Sequence, residues 1–175
     1  MYSFSDVDID LDHTLDCGQV FRWEREGDWW VGVVNGDVIR ARNDIESGTV
    51  LVDSSLPREF VASYFRLDDD LSYILDSIDK DRYIREAIQR YRGLRLIRQE
   101  PWECMISYML ATASSIPTIK KRISLLSRMF GDEIGEGYYS FPDAKSLADA
   151  SESDICECKL GFRAGRIQKA AQQVA

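Results

Sequence analysis

WWVGVVNGDVIRAR, Trp29 to Arg42, decides the fold of the first third of this chain. Two runs rich in β-branched and aromatic residues flank Asn35-Gly36, the dipeptide that most readily adopts the two left-handed conformations of a tight hairpin turn. Outward from this hairpin, VFRWERE alternates before it, Gly27-Asp28 supplies a second turn, and TVLVD follows as a further strand. VDIDL, near the start, alternates as well and reads as a strand. Short turns between strands predict an antiparallel meander with one packed face.

After Pro57 the period changes from two to about 3.6. REFVASYF and LSYILDSI read as short amphipathic helices separated by Asp68-Asp69-Asp70, and a third helix spans about Asp81 to Arg92 with Gly93 as its stop. Pro101 fits the first turn of PWECMISYMLAT, whose pattern predicts near-complete burial. Ser114 or Ser115 caps IPTIKKRISLLSRMF, with Pro117 near its start. FPDAKSLADASESDICECKLGF reads as two short helices and a turn at Gly161, followed by a last helix from about Arg163. The class is α+β: an N-terminal antiparallel sheet domain with flanking short helices, residues 1–79, then a helical bundle, residues 80–175.

Composition narrows the function classes. Apolar residues make up 45% of 175, enough for a packed core, and no apolar run approaches the roughly 18 residues of a membrane span. The acidic start lacks the pattern of a signal peptide, which predicts a cytoplasmic protein, or a nuclear one in a eukaryote. The four cysteines and one histidine include no spacing that completes a metal site, so no metal or cofactor is expected. The net charge of −8 conceals an asymmetry: residues 1–79 carry −12 and residues 80–175 carry +4. Basic residues cluster at 80–98, 120–128 and 159–169, the last two without an intervening acid. Such clusters are ordinary solvated helix faces, or a surface that follows phosphates.

Three blocks then agree. LDCGQVFRW (15–23), GLRLIRQEPWECMISYMLATASSI (93–116), and FPDAKSLA (141–148) with KLGFRAGRI (159–167) resemble the 8-oxoguanine DNA glycosylase family in order and spacing, as does YFRLDDDL (64–71). The resemblance implies a base-excision repair enzyme, an N-glycosylase and AP lyase, whose partner is double-stranded DNA containing an oxidised guanine. Such a base must leave the stack to be reached. It also implies a lysine nucleophile, an aspartate and a helix-hairpin-helix. None of these matches a position here, so the chain reads as an N-terminal portion of such an enzyme, inactive alone and prone to self-association through uncovered helix faces.

By the same resemblance, Gly18 lies at the oxidised base, its carbonyl accepting the hydrogen that 8-oxoguanine carries on N7, with Gln19 and Phe21 flanking it. Ala113 stands where relatives place the asparagine that fills the gap left by the flipped base, within the turn Ala113-Ser114-Ser115. Thr118 stands where they place a cytosine-reading arginine. Phe162-Arg163 matches a second, Tyr-Arg reading pair, with Arg163 expected to project outward and Phe162 to wedge into the stack. The loss of one arginine implies a weakened preference for cytosine, because threonine cannot form a two-bond contact to a base edge. The readings that compete with this one are a non-catalytic damaged-DNA-binding or structural domain and, from the acidic N-terminal half alone, a protein-interaction module.

Overall fold

A computed structural model describes residues 1–44 and 47–175. They form two compact units, residues 1–32 with 39–98, and residues 33–38 with 99–175. The sequence reading divides the chain at 79/80; the segment 80–98 instead groups with the first unit.

A five-stranded antiparallel sheet, all of it but the hairpin tip at 33–38 in the first unit, comprises β1 (Tyr2–Phe4), β2 (Trp23–Glu26), β3 (Trp29–Val34), β4 (Asp37–Asp44) and β5 (Thr49–Asp53), in the order β1-β5-β4-β3-β2. Asn35 and Gly36 take φ of 50° and 75°, the paired left-handed conformations of the expected hairpin turn. Val50 and Val52 pair with Asn43 and Ala41, so alternation along β5 puts both valines into the core while Leu51 lies half-exposed. Trp23 pairs with Gly32, where an added Cβ would lie 2.4 Å from the indole; the glycine makes room for the ring. The indole is 1% exposed, donates to the Tyr64 hydroxyl at 2.9 Å and packs on Phe65.

Two strand expectations need correction. VDIDL is not a strand: Val7–Asp10 is irregular and α1 (Leu11–Asp16) follows, with Asp10 accepting from the His13 N–H as its cap. Asn43 substitutes for a neighbouring strand, its side chain accepting from Leu11 N and donating to Ile9 O. In VFRWERE only Trp23–Glu26 is strand. The remaining elements of this unit are α2 (Arg58–Tyr64), α3 (Leu71–Ile78) and α4 (Arg82–Arg90). Leu71 is the only buried residue of α3, and α4 buries none, leaving Tyr73, Ile74, Ile78, Tyr83 and Ile84 exposed. Gly93, at φ 86°, lies against the backbone of Ile9 and Asp10, and its carbonyl accepts from Asp10 N at 2.8 Å.

The second unit contains α5 (Pro101–Ala111), α6 (Ile116–Phe130), a short hairpin of β6 (Glu133–Gly135) and β7 (Tyr138–Tyr139), α7 (Ala144–Asp149), α8 (Glu152–Glu157), a 3₁₀ turn at Gly161–Arg163 and α9 (Ala164–Val174). The sequence reading did not include the hairpin. α5 and α6 pack together, and α9 packs against α7 and α8, around Ile106, Leu110, Ile123, Leu126, Leu147, Ile155 and Ile167. The expected near-complete burial of α5 is not observed: Ile106, Ser107 and Leu110 are inside, whereas Tyr108 and Met105 are exposed. The helix therefore offers one narrow apolar stripe to α6 and a second apolar face to solvent.

Candidate nucleic-acid interface

The first unit brings Gly18 and Gln19 to a turn immediately after α1. Gly18 has φ of 87°, a conformation that only glycine adopts without strain. The Gln19 side chain fixes this turn: its Nε2 donates to Thr14 O and Arg95 O, both at 2.8 Å, and its Oε1 accepts from Ile97 N at 2.8 Å. Its polar atoms are thus spent on backbone, holding segment 95–97 beside the turn. Phe21 is half-buried.

Arg95 anchors the same segment from the other side. It is 6% exposed, and its guanidinium donates to Asp8 O at 2.8 Å and to the Arg66 carbonyl. Burial pulls its pKa down, while Asp8, Asp69 and Asp68 oppose that shift.

The second unit gathers the other group of site residues. At the end of α5 the chain turns through Ala113, at φ 51°, and enters α6 at Ser115. The Ser115 hydroxyl does not cap the helix; it pairs with the Thr118 hydroxyl at 2.9 Å. A second turn, with Lys159 at φ 61° and Gly161 at φ 57°, leads into Phe162 and Arg163. Phe162 is 65% exposed, with the Arg163 and Arg166 guanidinium carbons 4.3 and 5.4 Å from its ring centroid.

Arg163 departs from the outward projection expected of it. It is 6% exposed, and its Nη2 donates to Thr112 O and, at 3.2 Å, to Ser114 Oγ. The Thr112 carbonyl lies just past the end of α5, where helical carbonyls lack an intrahelical donor, and the guanidinium supplies one. Ser114 accepts a second guanidinium: Arg122, which the sequence reading placed only in a basic run, donates from Nη1 at 2.6 Å and from Nε to Lys159 O at 3.0 Å. Burial first, and the charge of Arg163 second, push the Arg122 pKa below its ordinary value. Among the described residues no carboxylate pairs with Arg122, Arg163 or Arg166. The spacing of Arg122 four residues after Thr118, on the same helix face, is the signal that could have singled it out.

This arrangement, an exposed aromatic ring beside two arginines, occurs in a chain whose first 105 residues match the family described as 8-oxoguanine DNA glycosylase, N-terminal domain. The chain belongs to the 8-oxoguanine DNA glycosylase family. It is 27% identical to an N-glycosylase/DNA lyase of Saccharomyces cerevisiae, over 94% of this chain and 49% of that protein. The solved structure of MBOgg1 in complex with a low-affinity DNA ligand superposes with a TM-score of 0.90 at 34% identity, over 98% of this chain and 61% of that one. Apo 8-oxoguanine glycosylase/lyase of Clostridium acetobutylicum gives 0.88 at 29% identity, over 95% and 60%. The chain spans about half the length of the curated relatives it matches.

Other chemistry is sparse. Among the described residues no group of three or more His, Cys, Asp or Glu could hold a metal, and no helix is long and apolar enough to cross a membrane. Of the six lysines none is buried; Lys120 is half-buried and the other five are exposed. Burial, with Glu157 adding to it, raises the Cys158 pKa to about 11.

Proposed function

We propose that this chain forms part of the damaged-base pocket and the DNA-binding surface of an N-glycosylase/AP lyase that removes 8-oxoguanine from duplex DNA. The observation that carries the reading is Phe162, an exposed ring flanked by arginines with which, among the described residues, no carboxylate pairs, in a chain of this family. An aromatic side chain in that position can enter a base stack opened by an extruded nucleotide, while the cations meet the surrounding phosphates or base edges. Gly18 offers its carbonyl to the oxidised base, where guanine would leave the acceptor unpaired and be rejected. Gln19 contributes by fixing the turn and Phe21 by backing it. Ala113, Ser114, Ser115 and Thr118 contact the duplex, and Arg163 reaches the orphaned cytosine by turning its guanidinium out of the buried seat on Thr112 and Ser114.

Binding to four duplexes differing only in the base opposite 8-oxoguanine tests this. Arg163→Ala is expected to cost about 1–3 kcal/mol with cytosine and to flatten the preference. Equal losses on all four would assign Arg163 to a phosphate instead. In our reading none of the six lysines, five exposed and one half-buried, serves as the nucleophile. Borohydride treatment of residues 1–175 with an 8-oxoguanine duplex should therefore trap no adduct; an adduct lost on one Lys→Ala change would refute this. The uncovered faces of α3 and α4 favour self-association at high concentration, and sedimentation giving only monomer would exclude it.

A further inference from the structure

We propose that Arg122 is a positioning residue that sets the spacing of the two turns meeting the DNA, an inference that rests on the DNA-contact reading above. The first turn runs from Thr112 to Ser115 and carries Ala113 in the left-handed region; the second runs from Cys158 to Arg163 and carries Lys159 there. Neither is a glycine, so each conformation is held by its surroundings rather than by local preference. Arg122 bonds to both: its Nη1 reaches Ser114 Oγ at 2.6 Å and its Nε reaches Lys159 O at 3.0 Å. Arg163 adds the second tie, from its Nη2 to Thr112 O and Ser114 Oγ. Ser114 Oγ is therefore the shared acceptor of two guanidinium groups, and Phe162 extends from the turn that Arg122 clamps.

The geometry divides the two arginines by task. Arg163, buried beside the exposed ring, ties its own turn to Thr112 and Ser114, whereas Arg122, half-buried on α6, commits its donors to a hydroxyl and a carbonyl on separate turns. A planar fork can hold two acceptors in fixed directions; an ammonium on a flexible stem cannot. Arg122 thus acts on the duplex through the placement of Phe162.

The test uses the 175-residue chain and a duplex with 2-aminopurine opposite an abasic-site analogue, whose fluorescence reports unstacking of that base. Wild type should raise the fluorescence and Phe162→Ala should not. Arg122→Met should lose most of the rise and about tenfold in affinity, the scale of one good bidentate contact, with the salt dependence of binding unchanged. Arg122→Lys should fail to restore the signal, and Ser114→Ala should lose part of it. If Arg122→Met melts below the assay temperature, Arg122→Lys, which keeps the charge and loses the fork, carries the same expectation and the same refutation. A variant that keeps the fluorescence rise while its salt slope falls by about 0.9 would make Arg122 a phosphate contact and overturn the proposal. Full restoration by lysine would overturn it too. Loss of signal in Phe162→Ala with retention in Arg122→Met defeats this proposal alone; absence of DNA binding by wild type, or a wild-type signal from Phe162→Ala, defeats the underlying reading as well.

Discussion

Replacing Gln19 by leucine keeps the volume of the side chain and removes three hydrogen bonds, each 2.8 Å long, to Thr14 O, Arg95 O and Ile97 N. Thr14 O retains a contact from Cys17 Sγ at 3.4 Å, so its loss is partly compensated. Arg95 O and Ile97 N are left without these partners next to the buried Ile97 side chain. Each unsatisfied buried group costs about 1–3 kcal/mol, and taking the lower half for a partly buried site gives a total of about 3 kcal/mol. At an m-value of about 2 kcal/mol/M this lowers the urea midpoint by roughly 1.5 M. Circular dichroism gives the midpoint, and hydrogen exchange at the Ile97 amide localises the effect, which should appear as faster exchange there. Gln19→Glu should be at least as damaging, because a carboxylate would confront two carbonyls where an amide now donates. A loss under about 1 kcal/mol, with Ile97 still protected, would refute the view that this amide ties the turn.

Hydrogen bonding from Arg66 is the largest influence on Asp69; burial opposes it, and the charges of Arg98, Arg66 and Arg95 reinforce it, leaving the pKa below its ordinary value. A carboxylate depressed on folding stabilises above its unfolded pKa of about 3.9, and that contribution disappears as pH falls through the lower folded value. Asp69→Asn should accordingly be destabilised at pH 7 and converge with wild type as pH falls below the ordinary carboxylate range in thermal melts; a constant difference at all pH would contradict the assignment. Alkylation at pH 8 should label the exposed Cys17 and Cys156 and spare Cys158, whose thiol is fully buried, lies 3.3 Å from Met129 Sδ and titrates at about 11. Mass spectrometry of the labelled peptides decides this, and rapid labelling of Cys158 would mean that α8 opens readily.

The hairpin at Asn35-Gly36 was legible because its requirement is local: two successive left-handed residues, supplied by the two residue types that tolerate them. α1 was not, because VDIDLDH alternates as a strand does, and the deciding partner, Asn43, lies 32 residues beyond Leu11. In the site, the family resemblance singles out Gly18 and Phe162, and the structure gives Gly18 a φ of 87° and leaves Phe162 exposed. The burial of Arg163 was not legible, since it depends on a carbonyl set free at the end of a helix 51 residues earlier. The spacing of Arg122 from Thr118 puts it on the right helix face, but its two acceptors come from turns that only the folded chain brings together.

The ties that hold the Gly18 turn also impose an order on how the chain matures during synthesis. Residues 1–53 contain all five strands of the first sheet, yet the acceptors and donors that complete α1 and its turn come from Gly93, Arg95 and Ile97. Asp8 likewise waits for Arg95, 87 residues downstream. A nascent chain that has emerged only as far as α4 therefore carries the strands with an open lip, its Asp10 N–H and the Gln19 bonds to Arg95 and Ile97 still unmade. Closing loops of this length costs entropy that local contacts do not return, which makes the lip a late and slow step. The Gly18 turn would then be the last part of the first unit to set, and the part most exposed to error when translation pauses between Arg90 and Arg98.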